Sequence, residues 1–210
     1  MKKLLTPMLT AALGWVSASA LADADLKPIP EDIQYCSVCH GTQLRGNPGT
    51  GAPRLSGLPA WYVEAQLQGF LHEYRGTEEQ DYPGNEMRVA AHGVTDMNLA
   101  KVAQWVADTQ SPEPTASISG NISHGKELYG SCVSCHGVDA GGNKALHAPP
   151  LAGSSDWYLL RQLKNFNSGR RGTAEGDTYG QQMRASAALL TSDQDMIDVV
   201  SYIQSLSKTQ

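Results

Sequence analysis

The chain has 210 residues, 40% of them hydrophobic but only 7% aromatic, and a formal charge of −5 from 16 basic and 21 acidic side chains. That balance argues against a nucleic-acid partner. With 21 glycines and so few aromatics, two small halves of such a chain would each have a thin core.

The chain opens on Met1-Lys2-Lys3, an apolar run from Leu4 to Leu21 and the small-residue end Ala20-Leu21-Ala22. These are the three parts of a secretory signal, residues 1–22, with cleavage expected after Ala22. Retention of the segment as a membrane anchor is the competing reading, although Pro7 and the interspersed Thr and Ser residues make a poor spanning helix. Loss of Lys2 and Lys3 leaves 14 basic against 21 acidic side chains, about −7. Residues 23–115 carry 6 basic and 13 acidic side chains, and residues 116–210 carry 8 and 8. A dipolar molecule that orients its docking partner is expected.

Two pentapeptides organise the rest: Cys36-Ser37-Val38-Cys39-His40 and Cys132-Val133-Ser134-Cys135-His136. C-x-x-C-H is the attachment signature of c-type haem, in which both thiols bond to the porphyrin vinyl groups and the His becomes an axial iron ligand. On a helical turn, residues i and i+3 share a side, and the next residue can aim its imidazole at the metal. A thioredoxin-like redox pair, half a zinc site and disulfides are the other uses of such cysteines. The motifs take all four cysteines of the chain and both continue His-Gly, which favours two haem c groups. Export agrees with that reading, since bacterial c-type haem is attached outside the cytoplasmic membrane, and the expected compartment is the periplasm.

The first half, residues 23–110, begins with a short helix, because Pro28 and Pro30 restrict its start to about Pro30. Ala52-Pro53 follows the haem motif, then an amphipathic helix opening Trp61-Tyr62, then Arg75-Gly76-Thr77 and Met87-Arg88. Leu99, Val102, Ala103 and Val106 form the apolar stripe of a closing helix. Residues 111–121, with Pro112 and Pro114, read as an extended linker, and the domain boundary falls near residue 116.

The second half, residues 122–210, repeats this order. Shifted along itself, the sequence from Cys36 to Thr95 matches the second copy without a gap at roughly 25 of about 60 positions, which makes it a duplication. Ala148-Pro149, Trp157-Tyr158, Gln162-Leu163, Arg171-Gly172-Thr173 and Met183-Arg184 all have matched partners. Met196, Val199, Val200 and Ile203 form its closing stripe, and Ser192 with Asp195 fits a capping box. Here Gly125 replaces Ile29 and Tyr129 replaces Ile33, so a helix before the second motif can cross the closing helix closely near Tyr202.

A six-coordinate haem needs a second axial ligand. Met87 and Met183 are the methionines that align with each other, whereas Met97 and Met196 do not; a core methionine is the ordinary alternative. His/Met ligation would raise both reduction potentials. A carbonyl at Pro53 or Pro149 is placed to accept the free imidazole N–H, with a simple turn proline as the alternative. Trp61, Tyr62, Trp157 and Tyr158 read as walls around the haem, with a Tyr hydroxyl or Trp N–H reaching a propionate. Arg75 and Arg171 are propionate partners or solvated surface charges. His72, His92, His124 and His147 have no matched histidine and read as surface or loop residues, with His92 the one competitor for Met87.

On these residues the chain resembles the dihaem class I cytochromes c of the cytochrome c4 family. The shared features are the two C-x-x-C-H motifs, Ala52 to Leu55 and Ala148 to Leu151, the two W-Y-x-x-x-Q-L segments, the R-G-T segments and the distal methionines. The resemblance implies an all-α fold of two tandem domains related by pseudo-two-fold symmetry, with the haems facing each other across the interface. It implies a periplasmic shuttle of single electrons from a quinol-oxidising complex or dehydrogenase to a terminal oxidase or reductase. Its partners would be donor and acceptor redox proteins, membrane-bound ones included, with no small-molecule substrate. A dedicated electron-accepting subunit of a periplasmic dehydrogenase has the same requirements. A dihaem peroxidase or thiosulfate-oxidising enzyme would need an open iron or an unusual ligand such as Cys, and no cysteine is spare.

Overall fold

The computed structural model describes residues 29–93 and 98–207, so the signal segment and Met97 lie outside the described residues. Among the described residues there are nine α-helices and no strand. Isolated bridges between Asn47 and Ala52 and between Asn143 and Ala148 close the same loop one repeat apart.

In the N-terminal half a 3-10 turn, Glu31–Ile33, follows Pro30 and leads directly into α1, Gln34–His40, so the whole first motif is helical. Helices α2 (Ala60–Leu71), α3 (Tyr82–His92) and α4 (Leu99–Asp108) complete it. Asn98 caps α4 by accepting the Lys101 N–H at 3.1 Å. α2 packs against both α3 and α4. Ile33, Leu44, Val63, Leu67, Val102, Ala103 and Val106 form the buried cluster, so the predicted α4 stripe does face the core. Burying each larger aliphatic side chain contributes about 1.5–3 kcal/mol.

The C-terminal half adds a full helix before its motif, α5 (Ile122–Tyr129), then α6 (Val133–His136), α7 (Asp156–Asn167), α8 (Thr178–Ala187) and α9 (Asp193–Ser207). The Asp195 N–H donates to Ser192 Oγ and the Ser192 N–H to Asp195 Oδ2, both at 3.1 Å, the reciprocal pair of a capping box. α5 crosses α9 in the largest helix contact among the described residues, and a Cβ at Gly125 would overlap the Asp198 carbonyl and crowd Tyr202. Tyr129, fully buried, donates to the Gly137 carbonyl at 2.9 Å and lies 5.3 Å from the Tyr202 ring. Met196, Val199, Val200 and Ile203 pack around it. Met196 is thus a core residue of α9.

The segment between α4 and α5 has no regular structure and is strapped by hydrogen bonds along its length. Arg54, 7% exposed, donates to Ser111 Oγ at 2.5 Å, the Pro112 carbonyl at 2.6 Å and the Ser111 carbonyl at 3.0 Å. Asp156 accepts from the Ser117 N–H and hydroxyl and from the Ile118 N–H. Burial alone would raise the Asp156 carboxyl, but these bonds hold it below its ordinary value. No helix among the described residues is long and apolar enough to cross a membrane.

Candidate functional site

The two motif histidines are deeply set, His40 at 5% and His136 at 6% exposure. His40 Nδ1 lies 2.8 Å from the Pro53 carbonyl, and His136 Nδ1 lies 2.9 Å from the Pro149 carbonyl. A carbonyl only accepts, so Nδ1 carries the proton and the Nε2 lone pair is left to bind a metal. Burial lowers both imidazoles below their ordinary value and the carbonyl partly opposes it, so the neutral, ligating form prevails at neutral pH. The loops 46–53 and 142–149 that aim these carbonyls are pinned by the paired bridges.

All four thiols are free. Cys36 and Cys132 are half-buried against the two apolar clusters, while Cys39 and Cys135 are exposed. Met87 on α3 and Met183 on α8 are both half-buried, and Met87 touches the N-terminal cluster. His92 sits exposed at the end of α3, its Nδ1 donating to the Arg88 carbonyl of its own helix at 2.9 Å. His72 stacks on Tyr74 in the same half. His124 lies in α5, not in a loop, and its Nδ1 pairs with the buried Asp198 carboxylate at 2.8 Å.

The halves meet along α2 and α7 and the loops that follow them. Arg75, 8% exposed and buried rather than solvated, donates to Gln66 Oε1 at 2.5 Å and reaches Gln162 Oε1 of the other half at 3.4 Å. Arg171 mirrors it, at 2.9 Å from Gln162 Oε1 and 2.7 Å from Gln66 Oε1. Each guanidinium also covers a phenylalanine of its own half, Phe70 at 4.4 Å and Phe166 at 4.6 Å. Arg161 stacks over Trp157 and Tyr158 and donates to the Gly51 carbonyl across the interface. Trp61 and Trp157 stand edge-on to Tyr62 and Tyr158, at 5.7 and 6.0 Å. Burial would raise the Tyr158 phenol, yet Arg75, Arg171 and Arg161 bring it below its ordinary value.

This cationic seam fits an anionic cofactor. Two guanidinium groups, Arg75 buried and Arg171 half-buried, share amide oxygens, and the Nε atoms of Arg75 and Arg161 are buried with no hydrogen-bond partner. Buried cations of this kind are costly unless a counter-charge joins them. Two propionates per haem supply such charges. Free thiols, neutral buried imidazoles and a cationic seam therefore fit two covalently held haems.

Sequence reasoning missed Gln66 and Gln162 as shared acceptors, although their match across the repeat at polar helix positions was a usable signal. It also missed Arg54 and Arg161. Neither has an arginine partner in the other copy, where Pro150 and Ala65 stand, so the repeat gave no signal for them.

Residues 33–110 and 122–207 match the cytochrome c family. Cytochrome c4 of Azotobacter vinelandii is 30% identical over 98% of this chain and 99% of the relative. A thiosulfate dehydrogenase electron acceptor of Thiomonas intermedia (strain K12) is 29% identical over 86% of this chain and 81% of the relative. The crystal structure of reduced recombinant cytochrome c4 from Pseudomonas stutzeri aligns with a TM-score of 0.62 at 26% identity, covering 82% of this chain and 93% of that one.

Proposed function

We propose, for a chain that belongs to the cytochrome c family and is of its dihaem cytochrome c4 type, a pair of closed electron-transfer centres with Cys36, Cys39, Cys132 and Cys135 as the covalent attachment points. His40 with Met87, and His136 with Met183, would hold the two irons. The protein is an electron carrier with redox proteins as partners. Each haem supplies a one-electron change at iron when bound.

The protein's residues supply the rest. The Pro53 and Pro149 carbonyls hold Nδ1–H, fix the ring plane and raise ligand basicity. Arg75 and Arg171 hold propionates at the seam and stay charged there, and Tyr62 and Tyr158 line the same wall. Met87 and Met183 would complete the ligand set of each iron and so leave small molecules no place to bind. Val38, 74% exposed, and Val138, 72% exposed, leave an apolar edge beside each motif for brief contact with a partner. The domains are residues 23–110 and 122–210, joined by 111–121, after export to the periplasm by the signal segment.

The observation that carries this reading is the twice-built pair of buried His and proline carbonyl behind a C-x-x-C-H motif. An optical spectrum of the haem-loaded protein, oxidised and dithionite-reduced, with and without carbon monoxide, tests it. The expected result is two haems per chain, a weak Met-to-iron band when oxidised and no carbon monoxide adduct. Met87→Ala and Met183→Ala should each open one centre to carbon monoxide and lower its potential. An adduct in the unaltered protein overturns the closed-carrier reading and moves a redox enzyme to the front.

A second reading is favoured by the likeness to a thiosulfate dehydrogenase electron acceptor: service as the electron-accepting subunit of a periplasmic dehydrogenase. Stable co-purification with a dehydrogenase supports it, and a freely dissociating protein supports the shuttle.

A further inference from the structure

The repeat places two equivalent seats at the interface, one beside each His-orienting loop, and they are filled by different chemistry. In the first, Gly51 and Pro83 leave room for the Arg161 guanidinium, which arrives from the C-terminal half and donates to the Gly51 carbonyl. A Cβ at Gly51 would run into Arg161 Nη1 and Pro83, and its φ of +74° suits glycine. In the second seat the matched positions are His147, Tyr179 and Ala65. There the His147 ring stacks on Tyr179 at 4.0 Å and stands edge-on to Trp61 of the other half at 6.1 Å. The position matching Arg161 is Ala65, which carries no charge into the second seat.

Arg161 sits close to the first centre in bonding terms. Gly51 is two residues from Pro53, whose carbonyl accepts the His40 Nδ1–H at 2.8 Å. Asp81 of the N-terminal half attracts the guanidinium, whereas the matched Asp177 accepts the Gly180 N–H at 3.0 Å. A cation held in a partly buried site stabilises the more electron-rich state of a nearby redox group, because screening there is weak.

We propose that Arg161 is a positioning residue supplied in trans, which seats the first centre's proximal loop and, as a half-buried cation, raises the reduction potential of the haem at His40 more than that of the haem at His136. The inference rests on the two-haem reading above. It means that the C-terminal half sets part of the N-terminal half's potential, with no reciprocal contribution through the second seat.

The test is a potentiometric titration of the fully haem-loaded protein, with each haem followed by its own paramagnetically shifted methyl resonances. Arg161→Gln keeps a donor and loses the charge; Arg161→Lys keeps the charge. In Arg161→Gln the midpoint of the haem at His40 should fall, shifting the electron-exchange equilibrium between the centres about tenfold, 59 mV for a one-electron couple. The haem at His136 should move clearly less, and Arg161→Lys should restore most of the difference. Equal movement of both haems, movement of the His136 haem alone, or no movement overturns the proposal. Failure of the two-haem reading would show separately, as a haem content other than two per chain or a carbon monoxide adduct in the unaltered protein. If Arg161→Gln does not fold, Arg161→Met is titrated in its place with the same expected shift.

Discussion

The two halves of this molecule keep the same site and build it on different supports. Behind the second motif, α5 crosses α9 so closely that Gly125 has no room for a side chain, and Tyr129 fills the space against Tyr202. Behind the first motif a proline-led 3-10 turn runs straight into α1, and Ile33 takes the tyrosine's place in the core. Yet the imidazole, its carbonyl acceptor, the aromatic helix and the Arg–Gln contact recur in both. A prosthetic group fixes a few atoms in space, while the scaffold behind them needs only to fill volume and satisfy its backbone.

The comparison breaks most sharply at the helix crossing. Gly125→Val should cost about 3 kcal/mol, because the obstacle is the backbone of α9 and not a yielding side chain. Thermal unfolding should show the C-terminal half melting early while the N-terminal half holds. At the matched Ile29, which packs on the edge of the first core, Ile29→Val should cost about 0.5–1.5 kcal/mol. If Gly125→Val is tolerated, the crossing is not the keystone of the second half.

The linker strap is the next contrast. Asp156→Ala unpairs the Ser117 and Ile118 amides and should cost about 2 kcal/mol, read as a lower denaturant midpoint. The first half already has Ala60 at the matched position, and its linker contact comes from Arg54 instead. Asp156→Ala should also speed proteolytic cleavage at residues 113–118, and an unchanged cleavage rate would remove the strap.

A pH dependence confined to one half follows from His124 and Asp198. The hydrogen bond to Asp198 raises the exposed His124 imidazole above its ordinary 6.5, and His124 with the Asn121 N–H lowers Asp198 below its ordinary 3.8. A raised histidine stabilises fully below its unfolded value and loses that contribution as pH climbs through the folded one. A depressed aspartate contributes above its unfolded value and loses it as pH falls through the folded one. The C-terminal half should therefore be steadiest between about pH 4 and 6.5 and soften modestly on either side. His124→Gln should flatten the alkaline side of that profile.

The smallest expected effect concerns docking. Because the N-terminal half is the acidic one, raising ionic strength should slow electron transfer into it from a basic partner. A rate indifferent to salt would leave the charge asymmetry without a steering role.

The haem motifs and the closing stripes were legible in the chain because each rests on local spacing, i to i+3 for the thiols and i to i+4 for a buried stripe; the duplication showed as a match of the chain with itself, and the all-α class came through the family resemblance that these motifs carry. The proline carbonyls were half legible, since position suggested an acceptor and only the fold could aim it. Arg75 and Arg171 were left open between a propionate and solvent. Their burial depends on how two separately folded halves meet, and a sequence repeat describes each half without describing the seam. For the same reason the matched Gln66 and Gln162 gave no sign of their contact, and the unmatched Arg54 and Arg161 drew no reading from the chain at all.

By itself, then, the sequence determined which cofactor is held and how many times, and it offered the local motif proposed to hold it, because helical periodicity and motif spacing are short-range properties. The tertiary structure alone decided which side chains cross from one half to the other and which charges lose their water. Desolvation and like-charge repulsion at the seam depend on distances between atoms from opposite halves, and no spacing along the chain encodes those distances.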